Sequence, residues 1–217
     1  MGIKEILEKS LGVPKKHRPE RAVKSYIASN FYIDGNLFIE AFDIVNATDS
    51  MENRAFRAKA IVNLCMSIEC SLKSLIISLS KDSETPKGAY KKARSCGHKI
   101  EDLHTEMALR AKKRFSTPKR DEEVFNDLQK LKVESRYSFE VWLLRIQADK
   151  TKFFAGEDLI SSTIDNKEWA SRVRKEAVTI NNLAKECHSK YMAKHAILSG
   201  KKFETFNKEL NNFLSSL

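Results

Sequence analysis

The stretch from Arg57 to Ser80, with AKAIVNLCMSIECSLKSLIISLS as its main part, constrains this chain more than any other. Ile61, Leu64, Cys65, Ile68, Leu72, Leu75, Ile76 and Leu79 recur at three- and four-residue intervals, the period of an α-helix. Val62, Met66 and Ile77 widen the apolar arc beyond the single stripe of a surface helix, so this helix needs partners on at least two sides. Other helices must supply them, because seven Gly and four Pro in 217 residues are too few for the repeated tight turns of a sandwich or barrel. The expected fold is all-α: an antiparallel helical bundle of two long central helices with shorter flanking ones.

The remaining pieces fit around that helix. Residues 1–20 read as an arm whose prolines, Pro14 and Pro19, oppose continued helix. The bundle spans 21–199, and 200–217 is a C-terminal amphipathic helix with Phe203, Phe206, Leu210, Phe213 and Leu217 along one face. A helix is expected over Arg21 to Phe31. Asp34-Gly35-Asn36 then signals a turn before a second one, with Leu37, Phe38, Ala41, Phe42 and Val45 inward. Asp49 with Glu52 has capping-box spacing and is expected to open the central helix, while Asp165 with Glu168 opens the second long one, which carries its stripe to Leu198. Thr85-Pro86 and Thr117-Pro118 are cap-and-proline starts, and Gly97 stops the short helix that Thr85 begins. Residues 135–165 do not declare a conformation.

Charge is distributed unevenly. Of a net +10, about +8 lies between Lys87 and Arg120, where eleven Lys/Arg face Glu101, Asp102 and Glu106. A basic cluster of this kind suits phosphate-bearing partners, bound with release of counterions, and equally suits a solvated face without a ligand. Cys65, Cys70, Cys96 and Cys187 have no paired spacing and read as reduced thiols. The N-terminus lacks a signal-peptide core, and Asn63, Glu69 and Lys73 interrupt the longest apolar run, so a soluble, cytoplasmic chain with no membrane segment is expected.

Few residues have a pattern that suggests chemistry. Arg94 and His98 can form a phosphate clamp and a general base, or simply be a solvated side chain and a helix-start residue. Arg136 beside Tyr137 offers a planar phosphate donor next to a stacking surface; alternatively Tyr137 fills core and Arg136 pairs with Glu69, Glu134 or Glu140. Lys112, Lys113 and Arg114 form a basic run suited to phosphate. Lys73, four residues after Glu69, is either another phosphate ligand or half of an ion pair that fixes helix register. Cys96, His98 and His104 lack a fourth ligand and any zinc spacing, so neither metal nor other cofactor is expected. No phosphate-binding glycine loop, dinucleotide fingerprint or nucleophile elbow occurs.

Three segments, in order, resemble the HEPN family of small helical bundles, found beside nucleotidyltransferases and in prokaryotic defence systems. Glu69-Cys-Ser-Leu-Lys73 is similar to its E-x-x-L-K, Gly97-His-Lys-Ile-Glu-Asp-Leu103 to its H-x-L stretch, and Ser135-Arg-Tyr137 to its A/S-R-Y, with Ser138 where the family commonly has proline. The resemblance covers roughly residues 22–195 and, taken with the charge cluster, implies a homodimeric module that contacts a nucleotide, RNA or an acidic partner protein through the basic 87–120 segment. The ribonuclease members carry R-x4-6-H, and no Arg of this chain has a His at that distance; Arg94 to His98 is one residue short. The resemblance therefore implies a non-catalytic binding module, with a metal-independent endoribonuclease using Arg94 and His98, or a structural adaptor acting through dimerisation, as the alternatives.

Overall fold

The structure, a computed structural model, describes residues 18–48, 54–112, 115, 119–131, 163, 165–195 and 201–217. They form seven α-helices: α1 Pro19–Asn46, α2 Arg54–Ser78, α3 Pro86–Ser95, α4 Ile100–Ala111, α5 Glu122–Lys130, α6 Lys167–Tyr191 and α7 Lys201–Leu214, with a 3₁₀ turn at Ala193–His195. No strand occurs among the described residues. The expected all-α bundle is what is found, and α2 is its centre. It packs along α1, α6 and α4, and Leu64, Ile68, Leu72, Leu75, Ile76 and Ile77 are fully buried.

By length and composition alone, and despite the interruptions at Asn63, Glu69 and Lys73, Phe56–Ser78 is apolar enough to cross a membrane. In the fold, 72% of its most apolar window is buried inside the bundle. The arc is broad because three helices cover it.

The largest departure from expectation is α1. Asp34-Gly35-Asn36 makes no turn; a single 28-residue helix runs through it. Gly35 is required by proximity. A Cβ there would lie 2.7 Å from both Asn181 Nδ2 and Ser71 Oγ, and 3.3 Å from the Ser67 carbonyl oxygen. A glycine at the crossing of three helices and a glycine in a turn look the same in a sequence. The continuous helix also resets the inward face to Ala28, Gly35, Ile39 and Phe42, leaving Leu37 54% exposed.

Other boundaries move for equally local reasons. α6 is capped by Asn166, whose side chain accepts from the Trp169 N–H at 3.1 Å, one residue after the expected cap. Asp165 instead binds Arg57 of α2 at 2.8 Å. The helix ends at Tyr191, short of Leu198. α5 is capped by Asp121, which accepts from the Val124 N–H at 3.2 Å and also takes the Arg172 fork. The expected start at Thr117-Pro118, the cap at Asp49 and the stretch 135–162 lie outside the described residues. Thr85 does cap α3, accepting from the Gly88 N–H at 3.1 Å, and α7 lies on α1 of its own chain with Phe213 buried.

Candidate functional site

The corner between α3 and α4 is made by one glycine. Gly97 takes φ +58°, a left-handed conformation that L side chains rarely adopt. No heavy atom lies within 4 Å of a Cβ built there, so backbone conformation rather than space demands glycine. The Gly97 N–H closes onto the Arg94 carbonyl at 2.9 Å, and the Lys99 N–H onto that of Cys96 at 3.1 Å. His98 sits at the apex of this corner and points back to α2.

There it meets Glu69. The carboxylate is buried, 3% exposed, and holds two partners: Lys73 Nζ one turn along the same helix at 2.5 Å through Oε1, and His98 Nδ1 at 2.9 Å through Oε2. A carboxylate only accepts, so Nδ1 carries the proton and donates. No described residue bonds Nε2, and the His98 side chain is 51% exposed. The imidazole is thus oriented from behind by a buried anion and presents its second nitrogen to solvent, an arrangement that can give or take a proton at Nε2. Lys73, only 11% exposed, has its charge balanced by Glu69 rather than turned outward.

The basic segment divides in two. Arg110 forks onto Glu84 at 2.8 and 2.9 Å and holds Glu106 at 2.7 Å, while Lys92 reaches Glu106 at 3.3 Å. Arg120 binds Glu101 at 2.6 Å and Glu122 at 2.8 Å. Lys87, Lys91 and Arg94 have no carboxylate partner among the described residues, nor have Lys112 and Lys119. The first three stand at i, i+4 and i+7, one face of α3, and that row runs towards His98. Arg94 has an aromatic neighbour, its guanidinium 5.6 Å from the centre of the Tyr90 ring. Lys113, Arg114, Arg136 and Tyr137 lie outside the described residues.

Cys96, His98 and His104, from which no metal site is expected, each make separate contacts. Cys96 Sγ lies 3.8 Å from the Lys92 carbonyl, and His104 lies against Phe125 with Nδ1 accepting from Arg120 at 3.3 Å. Burial, and then the Arg120 charge, hold His104 below its usual pKa. It joins Arg120, Glu176 and Thr179 around a small cleft between α4, α5 and α6. Burial pushes the Glu176 carboxyl up.

Sequence reasoning found Glu69, Lys73, Arg94 and His98 but not the link that joins the first two to the last, because 29 residues separate Glu69 from His98 and no periodicity connects them. Nor did it find Glu84 as the partner of Arg110. No family model, curated protein or solved structure matches this chain.

Proposed function

We propose that this chain is a HEPN-type helical module that binds a phosphate-bearing ligand, a nucleotide or RNA, at the α3–α4 corner. The observation that carries the reading is the row Lys87, Lys91 and Arg94, without carboxylate partners among the described residues while Arg110, Arg120 and Lys92 are neutralised, and leading to a His98 held by buried Glu69. Cations left free on one helix face provide a local positive field that the segment's overall charge does not guarantee. The reading includes a homodimer, supported by exposed Ile33, Leu37 and Ile44 along α1.

The test is a titration of a nucleoside triphosphate and a short labelled RNA at low and high salt, followed by anisotropy. Binding at low salt that weakens with added salt, and is lost in Lys91→Glu/Arg94→Glu, is the expected result. Absence of binding at both salt concentrations refutes it.

A second reading has its own support: the Nδ1 bond from His98 to Glu69 orients the ring as a general base for RNA cleavage without metal. Incubation with total RNA in EDTA, beside His98→Ala, decides it. Loss of cleavage in the variant supports the enzyme; equal cleavage by both proteins, or none by either, removes it.

A further inference from the structure

Tyr90 of α3 is in contact with two other helices and with a cation of its own helix. Its ring stacks on Phe31 of α1, centroids 6.4 Å apart and 28° between planes. The edge contact with Phe213 of α7 is at 5.5 Å and 89°. One turn along α3, the Arg94 guanidinium lies 5.6 Å from the Tyr90 ring centre, with Nη1 3.5 Å from the phenolic oxygen. Phe213 is the buried residue of α7, and Phe206 and Leu210 pack against the core beside it, Phe206 edge-on to Tyr26 of α1 at 6.0 Å. The innermost anchor of the C-terminal helix and the exposed cation next to His98 therefore share one ring.

We infer that α7 is a positioning clamp for Arg94: its docking, through Phe213 and Tyr90, fixes the guanidinium on the α3 surface, so docking of α7 and anion binding at α3 reinforce each other. The anion-binding half rests on the proposed function; the mechanical half does not. With Phe213 seated, Tyr90 is held on both sides, and its face is a fixed seat for the cation. With α7 lifted, Tyr90 loses the Phe213 side of its packing and the seat loosens. An Arg held in place loses less freedom when it meets a phosphate than one that must first be ordered. By reciprocity, an anion on Arg94 must favour the docked helix by the same factor. A surface cation–π contact limits that factor to about two- to fivefold. α7 is suited to such a part because a helix of its length depends on docking for its stability.

The test uses the full-length chain. Ligand-free protein is compared as wild type, Phe213→Ala, Tyr90→Leu and the double variant, by NMR of the Arg94 Nε–H group and amide exchange of every helix. The expected result is a more mobile Arg94 and faster exchange in α7 for Phe213→Ala, with exchange in α2 and α6 unchanged and no further effect on Arg94 in the Tyr90→Leu background. Unchanged Arg94 mobility in Phe213→Ala overturns the clamp, as does faster exchange in α2 and α6, which would mean general destabilisation. A short labelled RNA then tests the coupling: Phe213→Ala should weaken its binding about two- to fivefold, and equal affinity overturns it. If wild type binds no RNA while Arg94 responds to Phe213→Ala, the clamp stands and the ligand reading falls.

Discussion

Removing the Glu69 carboxylate is the most informative single perturbation, because that group belongs both to the core and to the candidate site. In Glu69→Leu, Lys73 is left 11% exposed without its 2.5 Å partner, and His98 loses the acceptor at 2.9 Å. Breaking a buried pair by deleting one member costs about 3–5 kcal/mol, since the remaining charge keeps its desolvation penalty and loses its compensation. The half-exposed His98 adds no more than about 1 kcal/mol. Lys73→Met alone should cost less, about 2 kcal/mol, because Glu69 keeps the His98 hydrogen bond. The double variant Glu69→Leu/Lys73→Met buries two apolar side chains in place of a pair that roughly balanced its own desolvation, so it should lie within about 2 kcal/mol of wild type. Urea denaturation of the four proteins gives the cycle, with unchanged m-values as the condition for comparing them. In thermal terms Glu69→Leu should fall by roughly 10 °C, at about 2–4 °C per kcal/mol for a chain of this size. Additive losses, with the double variant as unstable as the two singles together, would falsify the buried-pair reasoning. The stable double variant also separates function from folding, since it retains the core while leaving His98 without its orienting anion.

Gly35→Ala sets helix propensity against packing. Alanine gains about 1 kcal/mol in a helix interior, but its Cβ would lie 2.7 Å from Asn181 Nδ2 and Ser71 Oγ, which bond each other at 3.0 Å, while Asn181 also holds the Tyr32 carbonyl at 2.8 Å. Neither atom can move without breaking a buried hydrogen bond, so a net loss of about 1–2 kcal/mol is expected by chemical denaturation; a gain would show that α1 shifts freely. Lys24 is fully buried and donates to the Lys81 and Glu84 carbonyls at 2.9 and 2.7 Å, and burial lowers it from 10.5 to about 8. Between those values the unfolded chain binds more protons, so stability relative to Lys24→Met should rise with pH from about 8 to 10.5; a flat difference refutes the shift. Burial also holds His188, which bonds the Ser25 carbonyl at 3.2 Å, below the ordinary histidine value of 6.5. Its contribution is complete above that value and is lost as pH falls through the folded pKa, so His188→Gln should flatten the acid limb of the melting-temperature profile below about pH 6.5.

Much of the fold is legible without coordinates because it rests on local rules. The broad apolar arc of α2 requires a multi-helix surround, and that is how α2 is packed. Thr85-Pro86 and Gly97 start and end α3 because cap and left-handed conformations are set by single residues. Errors arise where a residue serves a distant partner. Gly35 reads as a turn because its reason lies on α2 and α6, and Asp165 reads as a cap because its true partner, Arg57, is 108 positions away.

The candidate site divides along the same line. Residue order and periodicity determine that this chain is helical, that α2 is covered on several sides, and that a strongly basic segment follows it. Which of those cations are free, and that Glu69 rather than solvent stands behind His98, depends on side chains brought together by packing. Spacing along one helix face can be read from the sequence because the helical period is constant; contacts between helices cannot, since they depend on crossing geometry that distant residues set jointly.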